Sequence, residues 1–177
     1  MTSFEPVRFG VIGYGLFGCH HAHAIEASDT SQLVAVAVRS AESQQRAAGD
    51  HPGVDVYGDY REMLKRDDLD VVSVVVPNML HHEMGMAVLE SGRAAGLGLR
   101  LHGNQLGHGP GVQLAVEMGC ASVDHCTYLT DADIGALAGS DTVATFLPAT
   151  DFSTRQPYPD ARRVIDAGAT VAVATNC

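Results

Sequence analysis

Val7-Arg8-Phe9-Gly10-Val11-Ile12-Gly13-Tyr14-Gly15-Leu16-Phe17-Gly18 is the stretch on which the reading of this chain turns. Its first six residues make a short, mostly apolar run of strand length, and the next six form a G-x-G-x-x-G that opens onto helix-forming sequence. The order strand, glycine turn, helix has a physical use. Gly13 permits the tight turn, Gly15 lets backbone approach a ligand with no Cβ in the way, and Gly18 allows the helix to pack close to the strand. The first N–H groups of the helix have no carbonyl partner within it and point outward at the turn. An anion rich in acceptor oxygens suits that position. Gly13, Tyr14, Gly15, Leu16, Phe17 and Gly18 are therefore read as a diphosphate cradle for a nicotinamide dinucleotide.

Outward from this stretch, apolar runs alternate with helix-length amphipathic segments along the whole chain, the pattern of repeated βα units and a parallel sheet. Eight strands are expected, near Val7–Ile12, Leu33–Val38, Val54–Tyr57, Val71–Val76, Leu97–Leu101, Ala121–Val123, Thr142–Leu147 and Thr170–Ala174. They are mostly continuous Val, Ala and Leu runs rather than strict alternations, as befits strands covered on both faces. Helix signals fall between them: Asn78 as a cap before Met79–Glu90 with Gly92 after it, Pro110 before Val112–Met118 with Gly119 after it, and Thr130 with Asp133 as a capping box. Pro159 opens a further segment that Gly168 closes. The expected fold is α/β, one mostly parallel sheet of about eight strands, doubly wound in the Rossmann manner, with the order 3-2-1-4 and the later strands extending that edge. The alternative is a (βα)8-like barrel. One stretch breaks the rhythm, with glycines at 92, 96, 98, 103, 107, 109 and 111. It reads as a functional loop system and as a joint between two segments of different origin.

Composition narrows the function classes. A formal net charge of −10 argues against nucleic acid as a partner, because binding a phosphate backbone needs clustered Lys and Arg. With 46% hydrophobic and 18% charged residues the chain is globular rather than disordered, and no apolar run reaches the length of a membrane span. The start shows no signal-like segment, and the four cysteines, Cys19, Cys120, Cys126 and Cys177, have no Cys-x-x-Cys spacing. Reduced thiols and a cytoplasmic location are the expectation.

At the end of the second strand, where a carboxylate would favour an unmodified ribose 2′-hydroxyl, the chain has Arg39-Ser40. A guanidinium beside a small hydroxyl suits a 2′-phosphate, so NADP is preferred over NAD; the alternative is a solvated Arg39 at a strand end. At the end of the fourth strand comes Pro77-Asn78-Met79-Leu80-His81-His82-Glu83. Together with Gly13 to Gly18 this resembles the N-terminal domain of the Gfo/Idh/MocA oxidoreductases over about residues 5–93. The resemblance implies that the Pro77-Asn78 turn lies along the nicotinamide side of the cofactor; taken alone, Asn78 is a helix cap and His81 a surface residue. His20, His21 and His23 read as surface histidines of the first helix. The family continues into a strand ending in Glu-Lys-Pro, whose lysine serves the chemistry, and into a large substrate domain. This chain instead runs Gly92-Arg93-Ala94-Ala95-Gly96-Leu97 and has no Glu-Lys-Pro anywhere.

From about Gly96 to Cys177 a second resemblance takes over, to the last four βα units of the imidazolonepropionases of the amidohydrolase superfamily. It is carried by Leu101-His102-Gly103-Asn104-Gln105-Leu106-Gly107, Ser122-Val123-Asp124-His125-Cys126-Thr127, Phe152-Ser153-Thr154-Arg155-Gln156-Pro157-Tyr158 and Val173-Ala174-Thr175-Asn176. The resemblance implies a metal ligand at His102, a catalytic role at His125 and a substrate contact at Gln105. Asn176 stands where the family has an Asp that binds metal and moves protons, and an amide does neither. His102, Gln105, His125 and Asn176 are thus expected as inherited remnants, and no working metal site is expected.

The expected organisation is a Rossmann-type half over 1–95 and an amidohydrolase-derived half over 96–177 sharing one sheet. The expected function is NADP or NAD binding by a chimeric scaffold without efficient turnover. The alternatives are a Gfo/Idh/MocA-like oxidoreductase and a metal-dependent hydrolase. An open edge strand also makes a homodimer an expected partner state.

Overall fold

A computed structural model of the chain describes residues 5–175, and for residues 78–82 the backbone only. The chain divides into two compact units, Met1–Leu97 and Gly98–Cys177. In the first, β1 (Val7–Ile12), α1 (Leu16–Glu26), β2 (Ser31–Ala37), α2 (Ala41–Asp50), β3 (Asp55–Tyr57), α3 (Tyr60–Met63), β4 (Val71–Val74) and α4 (Asn78–Ala94) follow one another. The strands are parallel and ordered β3-β2-β1-β4, the order expected from the sequence.

The first unit is covered on both faces of its sheet, which explains why its strands read as unbroken apolar runs. On one face Val11, Leu33 and Val36 pack with Tyr14, Ala22 of α1 and Ala47 of α2. On the other, Ile12, Ala35 and Ala37 pack with Tyr60 and Met63 of α3, with Met84, Ala87 and Val88 of α4 against them. Val11 and Val36 are fully buried register partners. Each such side chain stabilises the unit by about 1.5–3 kcal/mol relative to exposure.

The second unit contains β5 (Arg100–Gly103), α5 (Gly111–Glu117), β6 (Ser122–His125), α6 (Asp131–Ala138), β7 (Val143–Phe146), α7 (Pro148–Thr154), α8 (Ala161–Asp166) and β8 (Val171–Val173). Its four strands are parallel in the order β5-β6-β7-β8. Register places Leu101, Val123, Ala144 and Val171 in one row and His102, Asp124, Thr145 and Ala172 in the adjacent one. Gly103 meets Gly111 and Val112 of α5, so the row of Leu101 and Val123 lies on the helix-covered face. The row of His102 lies on the other.

Three expectations are corrected. The eight strands form two four-stranded sheets, not one sheet in which later strands extend the first. An apolar strand run reports burial of both faces and carries no information on which neighbour takes its hydrogen bonds. Pro77, not Asn78, is the N-cap of α4; its φ of −57° and extended ψ of 145° start the helix one residue early. α4 also runs through Gly92 to Ala94, because its interior hydrogen bonds outweigh the roughly 1 kcal/mol cost of a glycine. The capping box at Thr130 and Asp133 forms as expected.

Candidate functional site

The turn between β1 and α1 is tied down on both sides. Gly13 donates its N–H to the carbonyl of Ala37 at 2.8 Å, and Val75 donates to the carbonyl of Ile12 at 2.8 Å. Gly13 has a φ of +100°, and a Cβ there would stand 2.1 Å from the Val75 carbonyl oxygen. A Cβ on Gly18 would stand 2.2 Å from the Gly13 carbonyl oxygen. These two glycines are therefore required by packing alone. Gly15 differs: a Cβ there would meet nothing within 4 Å. It is the N-cap of α1 in extended backbone, with no side chain capping the helix and no acidic residue in its first turn. The open space in front of Gly15 and the uncapped N–H groups fit a diphosphate, whose oxygens would take those donors. Leu16 and Phe17 are exposed beside it.

Tyr14, between the two glycines, turns its ring the other way into the core and is 1% exposed. Its hydroxyl donates to Asp50 Oδ2 at 2.9 Å and lies 2.7 Å from His51 Nε2. His51 Nδ1 in turn meets Glu26 Oε2 at 2.7 Å. Burial, then the hydrogen bond to Asp50, push the Tyr14 phenol far above its ordinary value. Arg46 of α2 stacks its guanidinium over the Tyr14 ring, 5.3 Å from the centroid, and donates to the Tyr14 carbonyl. Tyr14 thus presents only its backbone to the turn. Asp50, His51, Glu26 and Arg46 were not found from the sequence; they lie 12 to 37 positions from Tyr14 with no motif linking them.

Past the end of β2, Arg39 is exposed, and Ser40 caps α2 by accepting the Ser43 N–H at 3.2 Å. Gln44 donates to the carbonyls of Val38 and Arg39, which fixes the backbone on which Arg39 sits. Pro77 is exposed at the start of α4. The side chain of Asn78 lies outside the described residues.

In the second unit the structure brings two of the sequence-predicted residues together. His102 Nδ1 and His125 Nε2 are 2.9 Å apart, with Asp124 Oδ2 3.8 Å from His102 Nε2. His102 is exposed and His125 is 1% exposed at the end of β6, with a φ of +80°. Burial and then the neighbouring His102 hold His125 below the ordinary histidine value. Asp151, missed by the sequence reading, is buried and accepts from Thr127 at 2.8 Å. Gln105 is half-buried in the loop after β5, and Asn176 lies outside the described residues. His102 and His125 face one another, and among the described residues no group of three or more His, Cys, Asp or Glu side chains is placed to hold an ion.

Two relatives are similar to the second half of the chain, and a family model matches the first. The imidazolonepropionase of Salinispora tropica is 72% identical over 93 residues, covering 51% of this chain and 24% of that protein. The imidazolonepropionase of Streptomyces griseus is 62% identical over 95 residues, covering 54% of this chain and 24% of that protein. The chain thus spans about a quarter of the length of the curated relatives it matches. Among solved structures, a 3-ketoreductase variant from Actinomadura kijaniata, in complex with TDP-benzene and NADP, superposes with a TM-score of 0.50 at 30% identity. That superposition covers 66% of this chain and 37% of the ketoreductase. Residues 7–95 match the model of the oxidoreductase family with an NAD-binding Rossmann fold. Joined to a second half similar to imidazolonepropionases, the glycine turn and the β3-β2-β1-β4 sheet mark a chain that belongs to the Gfo/Idh/MocA oxidoreductase family.

Proposed function

We propose that the chain binds NADP or NAD through Gly13 to Gly18, with NADP preferred, as a two-part scaffold without efficient turnover. The observation that carries this reading is the contrast among the three glycines. Two are demanded by packing, whereas Gly15 faces open space at an uncapped helix start. Backbone amides at Gly15, Leu16 and Phe17 would hold the diphosphate. Arg39 would meet a 2′-phosphate, with the Ser40 hydroxyl beside it, and the Pro77-Asn78 turn would border the nicotinamide. When bound, the nicotinamide ring supplies hydride-transfer chemistry. The chain's own contribution is to bind and orient it, since no Glu-Lys-Pro lysine is present to move a proton.

Calorimetric titration with NADPH and NADH tests the reading. NADPH is expected to bind more tightly, and Arg39→Ala to weaken NADPH about tenfold or more while leaving NADH nearly unchanged. Equal affinities of wild type for the two nucleotides would overturn the preference for NADP. Family membership supports oxidoreductase activity as a second reading, which a cofactor-dependent absorbance change at 340 nm with a polyol would establish. Hydrolase activity is disfavoured by the mutual contact of His102 and His125 and by Asn176 in place of an Asp.

The free thiols Cys19, Cys120 and Cys126 support a reducing, cytoplasmic setting. No helix among the described residues is long and apolar enough to cross a membrane. Each sheet has open parallel edges among the described strands, which supports a homodimer, to be checked by light scattering.

A further inference from the structure

We propose that His51 is a positioning residue for the dinucleotide cradle, acting as a buried imidazolium that fixes the one residue between Gly13 and Gly15. The inference rests on the reading of that turn as a dinucleotide site. Three contacts form a chain from Asp50 through Tyr14 and His51 to Glu26, at 2.9, 2.7 and 2.7 Å. Counting protons along it decides the state of the ring. The Tyr14 hydroxyl has one proton, held firmly by burial and by Asp50. That proton is donated to Asp50, so the phenol oxygen can only accept from His51 Nε2. At its other side His51 Nδ1 faces a carboxylate, which also accepts. Both ring nitrogens must donate, and an imidazole that donates from both is the cation.

The surroundings suit that charge although His51 is 0% exposed. It is the C-cap of α2, where the negative end of the helix dipole favours a cation. Glu26 reaches it from the last residue of α1 and Asp50 from the last residue of α2. The other titratable groups against the chain are His23 of α1, whose ring centroid is 5.0 Å from that of His51, and Cys19, 3.4 Å from His23. Arg46 lies over the outer face of the Tyr14 ring and holds the Tyr14 carbonyl. Tyr14 is thereby gripped from α2 at both its backbone and its hydroxyl, with Glu26 of α1 behind His51. Gly13 is also held by Ala37 and Val75, whereas Gly15, with no side chain and open space in front of it, takes its position from Tyr14. Without its Nε2 proton His51 no longer donates to the Tyr14 oxygen, so one of the three contacts is lost, the turn loosens and dinucleotide affinity falls.

NADH is the probe, because it lacks the 2′-phosphate that itself titrates near about pH 6. Its dissociation constant is measured by fluorescence between about pH 6 and about pH 8.5 for wild type, Tyr14→Phe and His51→Gln. Wild type is expected to weaken with rising pH, whereas both variants bind about tenfold more weakly at low pH and show a flat profile. A residue that merely stabilised the fold would lower the melting temperature and leave the profile unchanged. If wild type binds and the three profiles superimpose, the role of His51 is overturned, while the cradle stands. If wild type binds no dinucleotide, the cradle fails and the inference falls with it. Nitrogen-15 NMR of the histidine side chains in the full chain, without ligand, provides a separate check that survives misfolding of either variant. Two protonated ring nitrogens on His51 are expected at the low-pH end of that range, and a neutral tautomer there would overturn the proposal.

Discussion

Gly13, Gly15 and Gly18 share a motif and obey different constraints. At Gly18 an added methyl would meet the carbonyl oxygen of Gly13, which is backbone and cannot swing away. Gly18→Ala is therefore expected to destabilise the first unit by about 1–3 kcal/mol or more, read as a lower urea midpoint. At Gly13 the positive φ adds strain to the clash with Val75. The sequence revealed which residues form the turn, because a G-x-G-x-x-G between strand and helix has few other uses. It did not reveal that Tyr14 points inward. That direction is set by partners at Glu26, Asp50 and His51, and only folding brings them to it.

Among the elements, the start of α6 was the most legible helix end, because its capping box is local, whereas the side-chain caps at Ser40, Asp59 and Asp160 were not expected. Thr130 accepts the Asp133 N–H at 3.2 Å and Asp133 accepts the Thr130 N–H at 2.9 Å, a pairing written within four residues. Thr130→Ala is expected to lower stability by about 1 kcal/mol in urea titration. Burial opposes ionisation of Asp133, but hydrogen bonds from the Thr130 backbone, from Gln113 and from the Thr130 hydroxyl overcome it and hold the carboxyl below its ordinary 3.8. The stability contributed by a carboxyl lowered on folding is present above its unfolded value and lost as pH falls through the folded one. The second unit is thus expected to weaken below about pH 4, and Asp133→Asn to flatten that acid limb in melting curves taken against pH. The start of α4 was less legible. Pro77 takes the capping position by backbone conformation alone, and Asn78, the better side-chain cap, falls one residue inside.

For the whole molecule, the parallel α/β class and the order of the first four strands followed from periodicity and the opening turn. The division into two sheets did not, since continuous apolar strands look alike in an open sheet and in a wound one. In the second unit His102 and His125 were legible as residues at strand ends, whereas Asp151 was not, because it sits inside α7 with no flanking motif. All the cradle residues named here belong to the first unit. Amide hydrogen exchange with and without NADPH is accordingly expected to show protection concentrated in residues 10–19 and 37–41. Uniform protection of both units would argue against a local site.

The most direct test of the cradle is calorimetric titration of Gly15→Val with NADPH. Gly15 has a φ of −80° and an extended ψ of −162°, and its side-chain position is open, so the variant is expected to fold, with melting lowered only slightly by valine at a helix N-cap. The valine would nevertheless stand where a diphosphate must approach the backbone. A folded variant that has lost NADPH binding is the predicted result; one that binds NADPH as tightly as wild type would contradict the account.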